Sequence, residues 1–97
     1  MERYRAEVVC EGENYFLELH IRAKQLRIPL TEDKPKDIMI VFNDLIMELK
    51  KGNFQLELQD HGQDLYTQIS KEYISQLNEE LASVYNELND YGMLETE

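Results

Sequence analysis

Cysteine occurs once in these 97 residues, tryptophan is missing, and proline and glycine number two and four. One cysteine excludes an internal disulfide and a structural zinc site built on cysteines. The glycines, at positions 12, 52, 62 and 92, stand singly at the ends of predicted elements, so no glycine-rich phosphate loop can be assembled. Positive charge is scarce as well: ten Lys and Arg face twenty Asp and Glu, a net charge of −10 with a sequence pI near 4.6. The bases form no cluster interleaved with aromatics, which disfavours nucleic acid, and an anionic membrane surface would repel so acidic a chain. The longest uninterrupted apolar run is Ile38–Phe42, far short of a bilayer span. Met1 to Glu7 holds no apolar leader core, so no secretory signal is expected there, and a reduced, cytoplasmic, soluble setting is the expectation.

What is present suffices for a core. Leu, Ile, Val and Phe number 27, more than disordered acidic chains carry, and the length fits one small domain, residues 1–97. The charge is uneven. Residues 1–29 balance five bases against five acids, whereas residues 52–97 hold ten acids and one base, Lys71. Such a field favours a basic protein partner.

Tyr4 to Cys10 alternates, with Tyr4, Ala6, Val8 and Cys10 on one side, which predicts a half-buried strand. A turn follows at Glu11-Gly12-Glu13-Asn14, and Tyr15 to Lys24 alternates again. The reading is a β-hairpin with its register open. A two-residue loop at Gly12-Glu13 sets Glu7 opposite Glu18. A four-residue loop sets Glu7 opposite His20, electrostatically better, but Arg5 opposite Arg22. The rival reading of 15–27 is a helix, with Phe16, Leu19, Ala23 and Leu26 at helical spacing, in a mostly α fold. Pro29 ends either element.

Thr31 to Lys34 reads as a polar loop and Pro35 suits a first helical turn. Ile38, Met39, Val41, Phe42, Leu45, Ile46 and Leu49 then fill one broad arc, with Ile40 and Met47 projecting from the polar side. Phe54, Leu56 and Leu58 alternate as a short strand, and Asp64 suits an N-cap. A long helix is predicted from about 64 to 91, with Gly92 as its C-terminal stop. The expected fold is α+β: a three-stranded antiparallel sheet with two helices on one face, in the order β-β-α-β-α.

Chemistry is thinly represented. His20 could serve as a base oriented by Glu7 or Glu18, but it reads first as a strand residue in a charged ladder. The loop Asp60-His61-Gly62-Gln63-Asp64 offers an imidazole and two carboxylates, yet turn and cap chemistry account for the same residues. Asp60, His61 and Asp64 are the weak metal candidates; no metal or cofactor is expected. Cys10, on the apolar side, reads as a buried, inert thiol.

Binding features are stronger. Four of six tyrosines fall on the long helix. At 1.5 Å per residue that helix is about 40 Å long, against about 20–27 Å for a strand of six to eight residues. Its second half is therefore expected to outrun the sheet. The function expected is a non-catalytic acidic interaction module (an adaptor, inhibitor or immunity-type protein), not an enzyme, contacting a basic partner through Glu79, Glu80, Tyr85, Glu87 and Tyr91. The alternatives are a small metal-dependent enzyme or accessory centred on the 60–64 loop, and a structural homodimer joined through Ile40, Met47, Leu81, Val84 and Leu88.

Overall fold

Two tight turns generate most of the sheet. The structure, a computed structural model, describes residues 1–30, 37–59 and 62–94. Its elements are β1 (Glu2–Glu11), β2 (Asn14–Ile21), β3 (Lys24–Pro29), α1 (Ile38–Lys50), β4 (Phe54–Leu58) and α2 (Leu65–Asp90). The class is α+β. The sheet has four strands rather than three, ordered β3-β2-β1-β4, and the helical reading of 15–27 is overturned. The two turns pair β1 with β2 and β2 with β3 antiparallel, whereas β4 joins β1 in parallel, so the sheet is mixed. The reason is the chain path. The third strand runs in the same sense as the first, and one helix carries the chain back before the next strand begins.

The first turn is the two-residue loop, with Gly12 at φ 63° and Glu7 opposite Glu18. The four-residue register avoided that like-charge pairing, but Arg27 of β3 makes it tolerable by standing opposite Glu18 on its other side. The second turn, Arg22-Ala23, has neither Gly nor Asn. Arg22 takes φ 51°, and its guanidinium is anchored to α1 through the Glu48 carbonyl at 2.8 Å and the Glu48 carboxylate at 3.0 Å. That arginine holds Glu48 below the ordinary carboxylate range.

Asp37 caps α1, accepting from the Met39 amide at 2.8 Å. Thr31 to Lys34 and Pro35 lie outside the described residues. Val41, Phe42, Leu45 and Leu49 are the buried positions of α1, while Met39, placed on the apolar arc by periodicity, is 48% exposed. Asp64 caps α2, and a Schellman motif closes it: Gly92, at φ 66°, donates to the Asn89 carbonyl and Met93 to that of Leu88.

The sheet has one covered face. Ala6, Leu17, Leu19, Ile21, Ile28, Phe54 and Leu56 point towards the helices and form one core with Val41, Leu45, Leu49, Tyr73, Ile74, Leu77 and Leu81. On the edge strand β4, the parallel ladder turns Gln59 towards β1 (its N–H meets the Ala6 carbonyl at 2.9 Å) and leaves the Leu56 amide facing outwards. Asn78 of α2 meets that edge. Its Oδ1 accepts from the Leu56 N–H and its Nδ2 donates to the Leu56 C=O, both at 2.9 Å. None of the described helices is long and apolar enough to cross a membrane.

Candidate functional site

Two surfaces carry chemistry. The first is the face of the sheet turned away from α1 and α2, where the alternate strand residues lie. Glu18 is its centre. Although it stands on the open face, its side chain is only 7% exposed, because Arg27 covers it. Nε and Nη2 of Arg27 donate to Glu18 Oε2 at 2.9 and 2.5 Å, and Nη1 donates to Glu11 at 3.0 Å. The same guanidinium lies 4.9 Å from the centroid of the Phe16 ring. Hydrogen bonds to Glu18 and then Glu11 push the Arg27 pKa up, so this cation is fixed in charge and place. His20 follows along β2, half-buried, with Nε2 3.2 Å from Oε1 of Glu7. It is therefore a member of a charged ladder with a definite partner.

The second surface is the outer face of α2. Glu2, Glu7, Glu11, Glu18, Glu48 and Glu57 each lie within an ion pair. Among the described residues, none of the acids of α2 does. Glu72, Glu79, Glu87 and Asp90 run along the exposed side, with Lys71 as the only base of the helix. Two of these acids, Glu87 and Asp90, stand near the C-terminus, where the helix dipole is already negative, and no basic residue occupies the last turn.

The residues expected at a partner surface divide. Glu79 and Glu87 are exposed, Glu80 is half-buried on one flank, and Tyr91 is 78% exposed near the C-terminus. Tyr85 lies on the opposite flank, partly buried against the core, so it is not grouped with them. Of the residues expected at a dimer contact, Ile40 and Met47 are 51% and 54% exposed, but Leu81 and Leu88 belong to the chain's own core and Val84 packs against it. α1 packs alongside α2, the cover that a helix longer than its sheet needs.

Asp60 and His61 lie outside the described residues. Asp64 is engaged as the N-cap, bonded to the amide and hydroxyl of Thr67 at 2.9 and 3.1 Å, and the amide bond chiefly holds its carboxyl below the usual range. Cys10 is exposed, not buried: the hairpin end carries it past the core, and its Sγ lies 3.3 Å from the Gly12 carbonyl. Inside the core, the Ser70 and Tyr73 hydroxyls have no hydrogen-bond partner among the described residues. Burial, with Asp37 adding a smaller effect, pushes Tyr73 up to about 12.

Sequence reasoning missed Arg27 and Asn78. Arg27 was legible only once β3 was recognised, through Leu26 and Ile28 alternating with Gln25 and Arg27. Nothing in the pattern around Asn78 marks it. No family model, curated protein or solved structure matches the chain.

Proposed function

We propose that the protein is a non-catalytic interaction module that binds a basic surface through the outer face of α2. One observation carries this reading. The acids of the strands and of α1 are largely paired, whereas Glu72, Glu79, Glu87 and Asp90 have no ion-pair partner among the described residues, and two of them stand against their own helix dipole. A chain that pairs its acids elsewhere leaves this arrangement at a cost in stability, and such local violations concentrate at functional surfaces. A row of Lys or Arg from a partner relieves both the mutual repulsion and the dipole. Tyr91, at the end of the row, supplies an amphipathic contact of the kind interfaces favour.

Long-range attraction of this sort acts mainly on the rate of encounter. Affinity capture from the native source, with wild type and a Glu79→Gln, Glu80→Gln, Glu87→Gln triple variant, identifies the partner and tests the surface together. Association with the partner so captured should slow in the variant and in added salt, with release little changed. A captured partner whose on-rate ignores both the substitutions and the salt overturns the proposal.

A further inference from the structure

On the open face of the sheet, three side chains with metal-ligating atoms converge from two adjacent strands. Glu7 and Glu18 are direct cross-strand partners, and His20 lies two residues beyond Glu18 on the same face. Nε2 of His20 stands 3.2 Å from Oε1 of Glu7 and 3.7 Å from Oε1 of Glu18. All three ligand atoms lie within 4.8 Å of one another. The second oxygen of each carboxylate is directed elsewhere. Glu18 Oε2 is held by Arg27 at 2.5 and 2.9 Å, and Glu7 Oε2 faces Nε of Arg5 at 3.9 Å. Two carboxylate oxygens therefore aim at one ring nitrogen. That nitrogen carries at most one proton and serves only one of them. A cation seated between the three atoms serves both.

The spacing fits such an ion. Ligand atoms 2.0–2.2 Å from a tetrahedral zinc are about 3.3–3.6 Å from one another. The two separations from His20 Nε2, 3.2 and 3.7 Å, lie at either edge of that range, and the carboxylate oxygens lie within 4.8 Å of each other. We infer that Glu7, Glu18 and His20 form a binding site for a divalent transition-metal ion of the zinc type. One imidazole with two carboxylates suits that class, whereas Mg²⁺ and Ca²⁺ favour all-oxygen sets. The outer contacts are those expected around ligating carboxylates, which are themselves hydrogen-bonded and so oriented. Arg27 positions Glu18, and Glu11 and the Phe16 ring position Arg27. Glu18 is nine-tenths buried yet keeps Oε1 directed at the cluster, so little side-chain freedom remains to be lost on binding. His20 and Glu7 are partly exposed, and the site lies on the side of the sheet away from α2.

The test is a titration of the intact chain with ZnCl₂ in a non-coordinating buffer, followed by calorimetry and by the imidazole NMR signals. It uses wild type, Glu7→Gln, His20→Gln and His61→Gln. Glu7 and His20 are partly exposed, so either variant, once shown folded by circular dichroism, suffices. Wild type should take up one equivalent with the His20 signals moving first. Affinity should fall by more than about tenfold in Glu7→Gln and His20→Gln and stay unchanged in His61→Gln. The site is refuted if wild type binds no zinc, if binding survives both sheet variants, or if His61→Gln alone abolishes it.

Discussion

Replacing Asn78 with Ala should loosen the fourth strand from the long helix. The substitution removes both 2.9 Å hydrogen bonds to the Leu56 amide and carbonyl. Each bond is worth about 0.5–1.5 kcal/mol net, so the pair contributes roughly 2 kcal/mol. Alanine is a better helix former by about 0.6 kcal/mol, which offsets part of the loss. The expected net destabilisation is about 1.5 kcal/mol, or a drop in Tm of roughly 6–12 °C for a chain of this size. Urea unfolding should show the midpoint falling with the slope unchanged. Amide exchange should show Leu56 accelerating more than its neighbours in β1. Asn78→Asp keeps the acceptor but sets a carboxylate against the Leu56 carbonyl, so at neutral pH it should be worse than Ala. If Asn78→Ala unfolds within about 0.3 kcal/mol of wild type, or if Leu56 exchange does not change, the clamp is not holding the strand and the reasoning fails.

Four further outcomes follow from the same geometry. Tyr73→Phe should be neutral or stabilising by about 1 kcal/mol in urea melts, because it removes a buried hydroxyl without a partner among the described residues. It should also remove an alkaline loss: with the folded pKa raised to about 12, ionisation of Tyr73 favours the unfolded chain as pH climbs above its ordinary value of 10.0. Asp64 has a depressed pKa, so its contribution is complete above the ordinary carboxylate value and is lost as pH falls through that value and below. Asp64→Asn keeps a good cap, and the stability gap between the two proteins should change only over that acid range. Asp90→Lys should raise stability by about 0.5 kcal/mol in thermal melts while weakening a basic partner. Exposed Cys10 should react with a thiol reagent in the native state at a rate close to that of the unfolded chain.

The helices and three of the four strands were legible because their apolar residues recur at the periods that burial imposes. Leu45 and Leu49, or Leu77 and Leu81, mark a helix face wherever the chain is read. β3 was hidden because its turn uses Arg22 at positive φ, a conformation for which sequence offers Gly or Asn as the usual sign. What permits it is a tertiary contact to Glu48, invisible to local pattern. The same omission hid the hairpin register, since only Arg27 explains why Glu7 can face Glu18. The acidic row of α2 could be read because surface charge needs no partner to be recognised, whereas the burial of Leu81 and Leu88 depended on how the whole core closes.

The parallel seam between β1 and β4 favours one order of assembly. The three-strand meander is stitched by two two-residue turns, so its contacts are local and close quickly. The pairing of Glu2 with Phe54 instead closes a loop of about fifty residues, roughly 1.4 kcal/mol costlier in chain entropy than a ten-residue loop. On these costs the meander is the expected folding nucleus, and β4 and α2 are expected to join it after the barrier, an order that φ-values would test. Interactions made only by the latecomers, the Asn78 clamp among them, govern how fast the native chain comes apart and hardly touch how fast it forms.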